Sequence, residues 1–489
     1  MKIKQILVVP MILASLSAQS QQVSDALRFT QTSVGGTARI QAMGSAQSAL
    51  GGDISSISGN PAGLGFYRKS DFAISPSLRF GTTESTFLNR TNSADRDNFS
   101  LPNIGFVITQ LNQDYSGQEV RDGWVSYSFG LSYNRTNSFH EERFFGGFNP
   151  GSSMSQYFAA NANIYGLSPS GTNSLEDMAY DNYIINYDNV NNVYTPVATG
   201  NVTQKQRDRV RGSQNDWTIA FGSNYSNKLF LGASVGFGSV RYIRETQFEE
   251  SGINDPANNL SSYKLDEELK VVGSSVNAKV GFIYRPVDLI RVGASMQTPN
   301  YYNMSEGYTT HLSSSFGNND SSFTSDPLNY VFDYDLKTPF KFNFGTAIFF
   351  RQYGLISLDV DYLDYSSMKL STSANDINFE SDSKNEVKAS YQSTFNYRIG
   401  AEAKLGDIAL RAGYSIYGDP YQNQLIDRSR QSISAGLGYR ADDYYFDFAF
   451  INTRAESLYA PYFLSNGSEP KVTSKQQLNT VMLTVGTRF

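Results

Sequence analysis

The chain has no cysteine, two histidines and two tryptophans in 489 residues. Without cysteine there is neither the disulfide framework that holds many small exported domains nor a thiolate metal site. His140 and His311 are the only imidazoles. Neither sits in a recognisable Ser/His/Asp arrangement, and two histidines are too few for a histidine-rich metal site. No enzyme activity, metal or cofactor is therefore expected. Long apolar runs are also missing: no stretch approaches the ~18 residues that mark a transmembrane helix. Excess positive charge is absent too. The 40 Lys+Arg against 46 Asp+Glu give a net charge of −6, which argues against nucleic acid as a partner. Glycine-rich stretches such as Gly232 to Gly238 lie inside strand-like runs rather than at a strand-to-helix turn, so they are not phosphate loops.

What is present is 40 Gly, 33 Phe and 32 Tyr, with a negative mean hydropathy. Length alone points to about three domains at ~150 residues each, a prior that large barrels break. Lys2 and Lys4 precede an apolar stretch, Ile6 to Leu16, and small and polar residues follow around Ala18-Gln19-Ser20. This pattern predicts a secretory signal peptide over residues 1–20, with the mature chain starting near Gln21. Loss of its two lysines takes the charge from −6 to −8.

The C-terminal half carries a clear period of two. Phe395, Tyr397, Ile399, Ala401, Ala403 and Leu405 alternate with Asn396, Arg398, Gly400, Glu402 and Lys404. After Gly406-Asp407 the alternation resumes with Ile408, Leu410, Ala412 and Tyr414 against Arg411 and Gly413. Each set occupies one face of a strand, and Gly-Asp between the runs suits a tight hairpin. The unit recurs along the chain and gives fourteen strands, starting near residues 71, 102, 123, 214, 229, 274, 288, 338, 354, 392, 407, 429, 443 and 476.

Connections after even strands are mostly tight (226–228, 286–288, 351–354, 406–407, 441–443). Those after odd strands are long: roughly 81–101, 135–213, 239–273, 298–337, 366–391, 417–428 and 454–475. Short turns at one end and long loops at the other are the asymmetry of outer-membrane barrels. The apolar face then meets lipid, and the Gly-, Ser- and Asn-rich face lines a wet or plugged lumen. A soluble β-protein with the apolar face buried is the alternative. Two regions fall outside the strands. Residues 21–70 are small and polar with no strand period, and 135–213 is a cap or a solvated loop with short helices predicted near Met154–Tyr165 and Leu175–Tyr187.

Gly44-Ser45-Ala46 through Gly51-Gly52-Asp53, followed by Ser58-Gly59-Asn60-Pro61-Ala62-Gly63-Leu64, resembles the N-terminal plug signature of the FadL/OmpP1/TodX outer-membrane transporters. Leu101-Pro102-Asn103-Ile104-Gly105-Phe106, Gly293-Ala294-Ser295-Met296-Gln297-Thr298-Pro299, and Leu358-Asp359-Val360-Asp361-Tyr362 through Tyr365-Ser366-Ser367 are similar to that family as well. The likeness spans about residues 21–489, with loops closer to members found in Bacteroidota. It implies a fourteen-stranded all-β barrel over 71–489 in the outer membrane of a Gram-negative bacterium, with a periplasmic hatch over 21–70. It also implies passive uptake of a hydrophobic small molecule, such as a long-chain fatty acid or an aromatic compound, with sideways release into the bilayer.

On this resemblance Asn60, Pro61, Ala62 and Gly63 belong to a gating element against the barrel wall; a simple loop turn is the plainer reading. Pro61 fixes its own φ and biases Asn60 toward an extended form. The alternation places Lys279, Arg291, Lys341, Asp359, Asp361, Arg398, Glu402 and Arg411 in the lumen. A two-residue loop at Gly406-Asp407 sets Glu402 opposite Arg411. These charges either pack the hatch or bind ligand. Leu483, Val485 and the terminal Phe489 read as the strand that barrel-insertion machinery recognises, or simply as a last strand. The alternative function is a structural subunit of an outer-membrane secretion or barrel-assembly complex, with loops 135–213 and 298–337 as partner surfaces.

Overall fold

A computed structural model describes residues 23–167, 174–317, 321–372 and 377–489; the signal peptide expected over 1–20 lies outside the described residues. Residues 71–489 close into one antiparallel barrel of fourteen strands. They are β1 (Asp71–Phe87), β2 (Arg90–Leu111), β3 (Trp124–Ser138, continued by Glu141–Asn149), β4 (Val202–Tyr225), β5 (Leu229–Ser251), β6 (Leu260–Val287) and β7 (Ile290–Gln297, continued by Tyr301–Phe316). There follow β8 (Leu328–Lys337, continued by Lys341–Phe349), β9 (Gly354–Asp364, continued by Lys369–Ser371), β10 (Ser393–Leu405), β11 (Ile408–Tyr417), β12 (Arg430–Ala441), β13 (Tyr444–Tyr459) and β14 (Val472–Arg488). β14 pairs back onto β1 from Asp71↔Arg488 to Phe87↔Val472, so the sheet closes on itself. No helix among the described residues is long and apolar enough to cross a membrane.

The strands run well beyond their apolar alternation, which corrects the expected loops. Residues 81–101 are strand, with β1 and β2 joined at Leu88-Asn89, whose φ of 45° and 65° are what a two-residue hairpin turn requires. Residues 239–273 contract to a connection at 252–259, and 135–213 contracts to 150–201. The expected 298–337 loop holds the second segment of β7, the strand Ser321–Thr324 and the first segment of β8. The reason is a change of solvent. Toward the turn end the outward residues are large and apolar, such as Phe344, Ile219 and Ile433. Leaving dozens of such side chains in water would cost ~1.5–3 kcal/mol each, so this belt faces hydrocarbon. Beyond the belt the outward set becomes polar, as in Lys205, Arg207, Arg209 and Arg211 on β4, and the apolar period moves to the inward face.

Proline seams conceal this change from a period count. Thr298-Pro299-Asn300 interrupts β7 and Thr338-Pro339-Phe340 interrupts β8, since proline has no N–H for the ladder. Gln297 pairs with Lys279 but Tyr301 with Val276, so four steps of β7 span three of β6. Inward residues are therefore odd-numbered below the seam (Gly293, Ser295) and even-numbered above it (Tyr302, Met304, Glu306).

Above the belt the interior is packed with apolar residues from many strands, among them Val210, Tyr242, Leu269, Met304, Tyr334 and Leu336. The cap over 150–201 carries helices Met154–Tyr165 and Leu175–Asp181, each N-capped by a serine in a capping box, and a hairpin of Ile185–Asp188 with Val193–Pro196. The second helix stops at Asp181, short of the predicted Tyr187, because Tyr183 takes φ 59° and turns the chain into the hairpin. Phe158, Ala162 and Met178 pack onto the inward Phe248, Leu265 and Leu312 and seal this end of the lumen.

Among the described residues the wall ladder is interrupted between β2 and β3. β2 is laddered to β1 along nearly its whole length, but to β3 only from Asn103↔Asn134 to Leu111↔Ser126. Higher up, β2 and the continuation of β3 touch again through Gly146 N–H to Asn92 Oδ1 (3.2 Å) and Arg96 to Glu142 (3.8 Å). Between these points β3 bulges at Arg135–Asn137 and leaves its strand at Phe139-His140. The result is a window in the backbone ladder, bounded by residues 97–102 and 135–140.

Candidate functional site

The N-terminal segment lies inside the barrel. Helix α1 (23–30) sits in the apolar chamber above the belt, where Val23, Ala26, Leu27 and Phe29 are buried. Phe29 packs edge-on against Phe139 and Tyr242. The chain then descends along β3, with Ser33 N–H donating to Thr136 O, and turns into helix α2 (Ala38–Ala42) and the 3-10 turns Ile54–Ile57 and Pro61–Phe66. Together these fill the belt lumen as a plug.

What seats the plug is glycine. Ten of the fourteen strands place a glycine beneath it, where an added methyl group would overlap plug atoms. Gly232 lies under Pro61, Gly281 under Asn60, Gly293 under Ser48, Gly400 and Gly413 under Met43-Gly44, and Gly436 under Ala42. Plug backbone therefore rests directly on wall backbone. The sequence contained this signal as glycines recurring on the inward face, but period alone does not say what they make room for.

Asn60 is held at both polar side-chain atoms and at its carbonyl. Its Oδ1 accepts from Ala62 N–H (3.2 Å), capping the turn that Pro61 opens, and its Nδ2 donates to Ser48 O (2.8 Å) and to Phe282 O on β6 (3.1 Å). Gly63 N–H donates to Asn60 O, and the Gly63 carbonyl accepts from Gly52 N–H, while Ala62 is fully buried. The four residues thus form one hydrogen-bonded corner tied to the wall.

The eight lumenal candidates all face the interior, and they divide by partner. Asp359 accepts from Gln47 N–H (2.9 Å), Ser48 N–H (3.0 Å) and Ser48 Oγ (2.6 Å), clamping the plug. Glu402 bridges the plug's Arg39 (2.9 Å) to Arg411 (2.7 Å), and Arg411 continues to Asp447 (2.7 Å). Glu402 and Arg411 are register partners across the β10–β11 hairpin. Asp361 receives both guanidinium nitrogens of Arg398 at 2.6 Å and Lys341 at 3.3 Å. Lys279 donates to Ser58 O and Arg291 to Leu50 O, with the Arg291 guanidinium between the rings of Phe66 and Phe349. Arg39 was not singled out by the sequence, because the region before residue 70 has no strand period from which to infer its direction.

Above the plug is a cavity of about 90 Å³ whose lining includes Lys279, Lys341, Arg398, Asp216 and Asn343. Its lining residues are nearly all polar or charged, and displacing water from them costs an apolar solute free energy. Leu483 and Val485 face outward in the belt, and Phe489 closes the seam by exchanging backbone hydrogen bonds with Ser70.

No protein-family model matches the sequence, and no curated protein matches it. Solved structures do match by fold. A Pseudomonas aeruginosa FadL homologue is 12% identical with a TM-score of 0.56, covering 93% of this chain and 98% of that one. The toluene transporter TodX of Pseudomonas putida is 14% identical with a TM-score of 0.55, covering 93% and 99%. The toluene transporter TbuX of Ralstonia pickettii is 16% identical with a TM-score of 0.51, again covering 93% and 99%. The plugged fourteen-stranded barrel described above is thus the fold of these FadL-type channels.

Proposed function

We propose that the chain is an outer-membrane channel for passive uptake of a hydrophobic small molecule, lipid-like or aromatic. The short-turn end would face the periplasm and the cap the exterior. The ligand is captured beneath the cap, takes the place of the α1 side chains in the apolar chamber, and leaves sideways through the window between β2 and β3. The observation that carries this reading is the position of that window beside the apolar chamber, which Phe139 lines. The route down the axis is disfavoured by a plug whose backbone rests on the wall and whose cavity is polar. The names of the fold neighbours, a FadL homologue and two toluene transporters, support the same class of cargo. Asn60, Pro61, Ala62 and Gly63 act in this reading as the fixed corner of the hatch, and Leu483, Val485 and Phe489 as the signal for barrel insertion.

The test uses the absence of native cysteine. A Leu101→Cys/Thr136→Cys pair spans the window one register step beyond Pro102. In proteoliposomes, oxidation is expected to stop uptake of an apolar dye and reduction to restore it; unchanged uptake in the bridged protein would sink sideways release. Pro61→Ala, or deletion of 57–64, is expected to alter uptake without preventing insertion. Purification from native membranes separates the scaffold alternative, which predicts stoichiometric outer-membrane partners and an interior without lipid-like ligand.

A further inference from the structure

The window carries positive charge that has no ion-pair partner among the described residues. Arg79 on β1 points inward and reaches across to Ser138 O at 3.4 Å. Arg135 stands on the bulge, and its Nε is buried without a hydrogen-bond partner. Arg430 comes from the start of β12, its guanidinium over the Tyr417 ring at 4.4 Å. Arg79 is within electrostatic reach of both Arg135 and Arg430, and no carboxylate is among the charges that act on it. None of the three has an ion-pair partner among the described residues. Glu142, just above the window, is already shared by Arg96 (3.8 Å), Arg207 (2.7 Å) and Arg209 (3.5 Å), and Asp97 at the edge points to the outer face. Elsewhere in the lumen Arg398 and Arg411 meet acids, and Arg291 is held by the Leu50 carbonyl and the rings of Phe66 and Phe349. Arg79, held at Ser138 O and within electrostatic reach of two further guanidiniums, and Arg135, with a buried unpartnered Nε, make a costly arrangement unless an anion joins them.

We propose that this window binds a phosphate group, carried on a lipid headgroup or free in solution. A carboxylate offers two oxygens and is satisfied by one guanidinium fork. Three forks from different strands match the three or more oxygens of a phosphate. Position favours the same chemistry. On the outer wall the window lies beside Phe99 and Leu101, where the apolar belt gives way to the polar face of Asp95 and Asp97. That is the level at which a bilayer keeps its headgroups, so an acyl chain can lie on the belt while its phosphate enters. His140 borders the site, and burial followed by Arg96, Arg135 and Arg79 holds its imidazole below the ordinary range. A bound dianion would push it back up.

Binding is measured apart from transport, so its failure is distinguishable from failure of the uptake reading. With only two histidines, selective labelling gives one resonance for His140 and one for His311 as an internal reference. The detergent-solubilised barrel is titrated with inorganic phosphate, with a short-chain phosphatidic acid, and with the matching diacylglycerol and fatty acid. The phosphatidic acid is expected to shift His140 and not His311. Arg79→Gln or Arg430→Gln should weaken it about tenfold. Arg430→Lys, which keeps the charge and loses the fork, should weaken it as well, giving a reading independent of how Arg79 variants fold. An equal response to inorganic phosphate identifies a free anion as the ligand, and a response to phosphatidic acid alone identifies a headgroup; both support the proposal. It is overturned if the fatty acid or diacylglycerol acts as strongly, or if neither phosphate probe moves His140.

Discussion

The belt and the extension above it use the same alternating strands with opposite polarity. In the belt, Phe344, Ile219 and Phe446 face outward while Asp361, Arg398, Glu402 and Arg411 face in. In the extension, Lys205, Arg209 and Lys270 face outward while Tyr242, Leu269, Met304 and Tyr334 face in. The difference teaches that a period of two specifies a strand with two unlike faces and nothing about which face meets solvent. In lipid, the polar face must be buried and satisfied, here by the plug; in water, the apolar face must be. One chain obeys both rules in two ways: Pro299 and Pro339 shift the parity of β7 and β8 where the solvent changes, while β4 keeps its parity and changes composition, from Ile219 and Phe221 to Lys205 and Arg209.

The comparison can be broken most directly by emptying each interior. Asp361→Ala leaves Arg398 and Lys341 buried without their shared acid and is expected to cost ~3–5 kcal/mol; Phe29→Ala removes an aromatic ring from the apolar chamber and is expected to cost ~3–5 kcal/mol. Urea midpoints in micelles measure both. The polarity assignment fails if Asp361→Leu, which adds apolar volume in the belt interior, is as well tolerated as a Phe29→Leu change above it.

The outer faces give the next effect. Phe344→Arg puts a charge on the lipid side of the belt at ~2–4 kcal/mol. Val331→Arg, on the outer face of β8 above its seam and 72% exposed, is expected to stay within ~0.5 kcal/mol. Equal costs would mean that both zones face the same solvent. Glycine tests the plug by the same contrast. Gly413→Val drives a side chain into Gly44 backbone and is expected to cost ~1–3 kcal/mol and to admit a polar dye into vesicles, whereas Gly307→Val, with open space above the belt, is expected to do neither.

Much of this was readable from sequence, and the limits have a physical origin. The alternation from Phe395 to Tyr414 fixed its own register, down to Glu402 opposite Arg411, because a two-residue turn leaves no freedom. The fourteen strands could be counted because each has an apolar face in lipid. Their upper halves were mistaken for loops because their outward residues, such as Arg90 to Asp97 on β2, resemble any solvated segment. The plug's partners stayed hidden for another reason. Arg39 and Ser48 have no period to give them a direction, and the glycines that receive them are defined by a missing side chain. Arg79, Arg135 and Arg430 are far apart in sequence, and closure of the barrel alone brings them together.

The smallest expected effect concerns a carboxylate in the wrong zone. The belt carboxylates Asp359, Asp361 and Glu402 have cationic partners, whereas Glu306 lies in the apolar chamber above the seam, 5% exposed, with Oε2 unpartnered. Burial, and then Asp25, push its pKa up to about 7, against the opposing pull of Arg28 and Arg244. Below the ordinary value of 4.5 the group is protonated folded or unfolded, and its stabilising contribution is fully present. Between 4.5 and about 7 the unfolded chain releases a proton that the folded one keeps, so stability falls as pH rises through that window and is flat above it. Asp25, also held up by burial, acts in the same sense from a lower starting pH, and His140, held low, acts oppositely as pH drops below 6.5. Both are present in the variant as well, so the difference between proteins isolates Glu306. Glu306→Gln is expected to match the parent near pH 4.5 and to exceed it at pH 8 by roughly 1–2 kcal/mol, allowing for coupling to Asp25. Urea midpoints across pH 4.5 to 8 measure the gap. A constant gap would mean that Glu306 is ionised throughout, and the chamber above the belt would then be wet rather than apolar.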